Sequence, residues 1–167
     1  MEKILEPRKV KREKEKMDAE SVSEIVKNLE NFGGIFSSDQ LENVKILDLP
    51  VMLIILDNGH WLSLYIDQET LEIMDSAGFT ANDGINKHLC RFLCAQSYGK
   101  TLTATPQLQQ EDSSDCGKYA TCFLVFRSLT GQPLTKFAKI FSSDFKANAE
   151  IIEEIFQEIK KLAVKFD

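Results

Sequence analysis

Cys116 stands at the end of a polar loop, in the stretch QQEDSSDCGKY that runs from residue 109 to 119. Three residues that favour helix starts, Ser113, Ser114 and Asp115, precede it, and the apolar run KYATCFLVF follows. This pattern puts the thiol in the first turn of a helix. Unpaired backbone N–H groups and the helix dipole favour an anion there, so the thiol is biased toward thiolate, its nucleophilic form. The bland alternative is a small buried hydrophobe, which many cysteines are. The polar loop, the helix-start position and a base elsewhere in the chain weigh against it.

That base is His60. It begins an alternating stretch, HWLSLYI, just after Asp57-Asn58-Gly59. Asp75 ends a second stretch, which we pair with the first as a hairpin across the turn DQET. The expected register sets His60 and Asp75 opposite each other at one end. A carboxylate then holds one imidazole nitrogen while the other faces a nucleophile, which is the arrangement for acyl transfer from a peptide carbonyl. The structural alternative for His60 is a strand histidine bonded to backbone. The second histidine, His88, lies near Cys90 and Cys94. Their spacing fits no usual zinc site, so no metal is expected, and two core-facing cysteines on a helix explain them better.

The elements around these residues follow from periodicity. Residues 19–29 read as a helix behind Asp18, with Val22, Ile25, Val26 and Leu29 on one face. Asn31-Phe32-Gly33-Gly34 breaks it, and Ser37 or Ser38 caps a short helix. Residues 51–56, 60–66 and 71–75 read as three antiparallel strands joined by short links. Along the second, Trp61, Ser63 and Tyr65 share one face. Residues 83–95 read as a helix with Ile85, Leu89, Phe92 and Leu93 inward, and residues 101–105 as a short strand. After the Cys116 helix comes a break at residues 130–133, then an amphipathic helix over residues 148–166 carrying Ile151, Ile152, Ile155, Ile159 and Leu162. The fold class is α+β, a central, mostly antiparallel sheet flanked by helices, with Cys116 at a helix N-terminus.

Composition narrows the function. The chain has 167 residues, 43% hydrophobic and 28% charged, which suits one globular domain. Residues 1–17 carry seven Lys/Arg and four Glu and read as a charged, flexible arm; residues 18–167 read as the single domain. A basic arm can contact nucleic acid, but the interspersed glutamates make a solvated tail the safer reading. A net charge of −6 disfavours non-specific nucleic-acid binding by the whole surface. No stretch has the length of a membrane span, and the charged start does not read as a signal peptide. The four cysteines form no spaced disulfide framework, which points to a reducing compartment.

The segments GHWLSLYIDQETLEIMDSAGF and LQQEDSSDCGKYATCFL resemble the cysteine proteases of the adenovirus endopeptidase (adenain) family. They are similar, more distantly, to the proteases that process SUMO and other ubiquitin-like modifiers. The shared chain order is His, acid, Cys. Phe-Gly-Gly-Ile-Phe-x-x-Asp-x-Leu, at residues 32–41, also resembles adenain-like proteases of large DNA transposons and related viruses. The likeness covers about residues 32–128 and is specific only in combination.

The resemblance implies an adenain-like, papain-like cysteine protease fold and a Cys116, His60, Asp75 triad. It also implies an oxyanion-hole glutamine before the cysteine. The viral spacing, Gln-x-x-x-Ser-x-x-Cys, selects Gln109 with Ser113, and the modifier-protease spacing selects Gln110; we prefer Gln109. Trp61 matches an aromatic residue that covers a narrow tunnel for glycine-rich substrate. The implied task is cutting Gly-containing sites in viral or transposon precursor proteins during virion maturation, in the virion and in the nucleus or cytoplasm of the host cell. The alternative is a SUMO- or ubiquitin-like modifier-specific protease; the length of the chain favours the former. Adenain itself takes an activating peptide, through a disulfide, and DNA. Here Tyr98 falls where that cysteine is due, and the acidic balance leaves only the arm as a DNA contact. No obligatory cofactor is therefore expected.

Overall fold

A computed structural model describes residues 19–79 and 86–165, so the charged arm lies outside the described residues, as do Ile85 and the start of its helix. Five strands form one sheet in sequence order: β1 (Phe32–Ser37), β2 (Val51–Asp57), β3 (His60–Ile66), β4 (Thr70–Met74) and β5 (Thr101–Ala104). Strands β2, β3 and β4 make the expected antiparallel meander. The edges differ: β1 pairs parallel with β2, and β5 parallel with β4. A parallel partner needs a crossover connection. A 3-10 helix (Ser38–Asn43) lies in the first and helix α2 (Lys87–Ser97) in the second.

Strand β1 departs from the sequence reading, which took its glycines as a break. Gly33 is there because β2 lies close. A Cβ on it would meet Val51 Cγ2 at 2.7 Å and Leu53 Cδ2 at 2.8 Å. Glycine within a strand often marks such an approach of a neighbouring chain.

Both faces of the sheet are covered, which explains the continuous apolar run of β2. On one face Leu53, Ile55, Leu62, Leu64, Ile66 and Ile73 pack with Leu41 and with Leu89, Phe92 and Leu93 of α2. On the other, Met52, Ile54, Trp61 and Met74 meet helix α3 (Cys116–Thr130). Fully burying such a side chain contributes about 1.5–3 kcal/mol. Helix α3 is buried nearly all round, from Tyr119 through Val125, so it is a central helix. Helices α1 (Ala19–Val26), α4 (Leu134–Ala138) and α5 (Phe145–Lys165) surround it. Gly131, at φ 69°, ends α3 by donating its N–H to the Arg127 carbonyl at 3.0 Å.

Two surface expectations fail. Cys94 is exposed and Cys90 only half-buried, so this pair does not face the core. They follow the half of α2 that Leu89, Phe92 and Leu93 leave outward. Leu162 is 41% exposed, while Phe156, at 7%, fills the inner face of α5 instead. Helix α4 was hidden in the sequence because its five residues are too few to show a period.

Candidate active site

Three connections converge at one end of the sheet. An Asn58-Gly59 turn, with φ values of 52° and 85°, joins β2 to β3 and makes His60 the first residue of β3, opposite Asp57. The β4–β5 side supplies Asp75, one residue beyond the last ladder position, Met74. The loop after β5 leads through Gln109 to Cys116, the first residue of α3.

The His60 Nε2 to Asp75 Oδ1 distance is 2.6 Å. The register is not the expected one. Ser63 pairs with Met74, so Asp75 falls level with Leu62, and the carboxylate reaches diagonally back to His60 on the same face. Asp75 is itself held firmly. Its N–H donates to Thr105 Oγ1 at 3.0 Å, the Thr105 hydroxyl donates to its carbonyl at 2.7 Å, and Ala77 N–H donates to its Oδ1 at 3.1 Å.

With Nε2 taken by Asp75, the other ring nitrogen is left to serve a nucleophile, and the ring and the Cys116 sulfur shift each other's pKa. The Trp61 N–H also points at that sulfur, 3.4 Å away. Burial alone drives the thiol toward its neutral form. The His60 ring, the Trp61 N–H and the Gly117 N–H reverse this and lower its pKa from the ordinary value. Burial likewise opposes charge on His60. The hydrogen bonds and charges of Asp75 and Cys116 outweigh it and raise the ring from 6.5 to about 10. Both shifts favour a thiolate beside an imidazolium.

The expected capping is absent. Asp115 occupies the cap position of α3, but its side chain caps nothing and instead meets Lys118 Nζ at 3.2 Å. Lys118 also pairs with Glu153 of α5 at 2.6 Å.

The family profile described as "Ulp1 protease family, C-terminal catalytic domain" matches residues 3–160. The chain belongs to the Ulp1 protease family. No curated protein sequence matches it. Among solved structures it is similar to the ASFV pS273R protease, with 18% identity, TM-score 0.47, and coverage of 70% of this chain and 43% of that one. ChlaDub1 from Chlamydia trachomatis gives 20%, 0.48, 65% and 49%. The SUMO protease Ulp1, with its catalytic cysteine oxidised to a sulfenic acid, gives 20%, 0.42, 85% and 74%. The chain spans less than half the length of the first two.

In this Ulp1-family chain the remaining sequence candidates separate by burial. Gln109 is 5% exposed, and its Oε1 accepts the Ser76 hydroxyl at 2.8 Å, whereas Gln110 is exposed. Trp61 is 5% exposed and belongs to the core on the α3 side, next to the sulfur through its own N–H. His88 pairs with Glu42, and among the described residues no group of His, Cys, Asp or Glu could hold a metal ion. Sequence reasoning missed Ser76 and Thr105. Ser76 had a signal, since it directly follows Asp75; Thr105 had none, because it acts across a parallel strand pair.

Proposed function

We propose that this chain is a cysteine endopeptidase working through Cys116, His60 and Asp75. The observation that carries the reading is the 2.6 Å contact of His60 Nε2 with Asp75 Oδ1, beside a Cys116 thiol whose pKa the same ring lowers. The thiolate attacks a peptide carbonyl carbon. The tetrahedral oxyanion is met by the Cys116 N–H and the Gln109 side-chain amide, each donor worth about 3 kcal/mol in the transition state. The imidazolium gives its proton to the leaving amine as the C–N bond breaks. His60 then draws a proton from water, which hydrolyses the thioester and frees the thiol.

The substrate we infer is a viral or transposon precursor protein cut at glycine-containing sites, in the virion or the host cell. The stretch at residues 32–41 supports that reading, through its likeness to viral and transposon enzymes. Trp61, beside the sulfur, is proposed to bar side chains next to the cut. An activating peptide, or DNA through the basic arm, is a second proposed partner. Membership of the Ulp1 protease family favours a second reading, a modifier-specific protease.

One experiment separates these. The purified chain and Cys116→Ala are incubated with peptides holding Gly-Gly or Gly-x-Gly sites and with a SUMO fusion. Peptide cutting after glycine by the wild type alone is expected. Cutting of the fusion alone reverses the substrate ranking. Turnover by the alanine variant, or by neither protein, overturns the mechanism.

A further inference from the structure

We propose that Ser76 is a positioning residue that anchors the Gln109 side-chain amide by its oxygen, leaving the amide nitrogen to face the reacting carbonyl. The inference rests on the reading of Gln109 as an oxyanion donor. A primary amide has one end that only accepts hydrogen bonds and one that only donates. Which end meets the oxyanion decides whether Gln109 stabilises or repels it.

Ser76 holds Gln109 at two points. Its hydroxyl donates to Gln109 Oε1 at 2.8 Å, and its carbonyl accepts the Gln109 N–H at 3.2 Å. The same carbonyl accepts the Leu108 N–H at 2.8 Å. Both side chains are out of solvent, Ser76 at 1% exposure and Gln109 at 5%, so water does not compete for these bonds. With Oε1 bound to Ser76, Nε2 is the end left to donate.

The clamp has work to do because residues 105–115 form no helix or strand of their own. Their fixed points are borrowed. The Leu108 carbonyl takes Asn148 Nδ2 at 2.9 Å and the Tyr119 hydroxyl at 3.5 Å. The side-chain amide of Gln109 has its acceptor fixed by Ser76. Asp75 and Ser76 are adjacent, so a single dipeptide orients the base through one side chain and the oxyanion donor through the next. Without the hydroxyl the amide loses the bond that anchors its oxygen and is free to leave the position facing the carbonyl.

The test is a double-mutant cycle in the full chain with Ser76→Ala and Gln109→Ala, read as kcat and KM separately. Ser76→Ala is expected to lower kcat about tenfold, less than losing a whole oxyanion donor, with KM little changed. In the Gln109→Ala background the same change is expected to have no further effect. Equal losses in both backgrounds overturn the proposal, since a merely structural role is additive. If Ser76→Ala does not fold, Ser76→Thr and Ser76→Val replace it. They share a shape and differ in the hydroxyl, and Thr must be the faster by about the same factor.

A second readout does not depend on turnover. In the 15N spectrum the Gln109 side-chain pair is identified by its loss in Gln109→Ala. Ser76→Ala must shift that pair; an unmoved pair overturns the clamp. If the wild type cuts no substrate, the protease reading falls, and this spectrum alone decides the clamp.

Discussion

In the proposed triad, the protonation of His60 and Cys116 together governs the chemistry at each pH. The reactive pair exists between the lowered thiol pKa and the imidazolium pKa of about 10. Activity therefore falls on the acid side as the thiolate is protonated and on the alkaline side as the ring loses its proton. These limbs belong to the pair rather than to either residue. Asp75→Asn removes a negative charge from the ring. The alkaline limb then moves down in pH, while the acid limb, where the ring is protonated with or without Asp75, does not move up. A pH profile of kcat/KM cut back on its alkaline side is expected, with the peak rate down roughly a hundredfold or more. An alkaline limb that stays in place removes Asp75 from the triad. The same shift bears on stability: the folded ring binds its proton more tightly than the ordinary 6.5, so its contribution is full below that pH and is lost as pH rises through about 10. At this scale the sequence was informative where chemistry is local. Cys116 at a helix start and His60 after a turn are visible in the letters beside them. Ser76 was marked only by following Asp75, and Thr105 acts through contacts with a neighbouring chain segment, which no nearby letter reports.

Elements were legible where they have a clean period. Strand β3 was read with its observed bounds, His60 to Ile66, because one face meets α3 and the other α2. Strand β1 was not, because two glycines erase both its propensity and its alternation. Its glycine is a packing requirement, and that is testable. Gly33→Ala forces a methyl to within 2.8 Å of Val51 and Leu53, and overpacking of this kind destabilises by about 2 kcal/mol. Urea unfolding of the variant measures it. An unchanged midpoint means that β1 does not lie this close to β2. The edge strands also explain why the sheet is mixed. Short links force neighbours antiparallel, while the stretches 38–50 and 75–100 are long enough to cross over.

Across the whole molecule, one buried ion pair ties the far end of α3 to the sheet. Arg127 Nε meets Glu72 Oε1 at 3.0 Å, the guanidinium lies 3.8 Å over the Tyr65 ring, and Glu72 Oε2 accepts the Leu134 N–H at 3.0 Å. Glu72 is 3% exposed, and its burial raises the carboxyl pKa against the pull of Arg127. Arg127→Met leaves that carboxylate without its counter-charge and is expected to destabilise by about 3 kcal/mol, seen as a lower melting temperature. A loss within a few tenths of a kcal/mol shows the pair to be incidental. Sequence alone gave no sign of it, since Glu72 and Arg127 are distant and each reads as a surface charge. The fold class, by contrast, was legible, because it depends on the order and type of elements and not on single contacts.

The order in which the parts are synthesised matters too. Asn148, wholly buried at the start of α5, anchors the Leu108 carbonyl beside Gln109, and Glu153 of the same helix pairs with Lys118 in the first turn of α3. Ribosomes make α5 after every member of the proposed triad. A nascent chain thus carries the proposed nucleophile, base and acid before the brace that steadies the loop beside them, and the proposed site is expected to be fully braced only once α5 has emerged and docked.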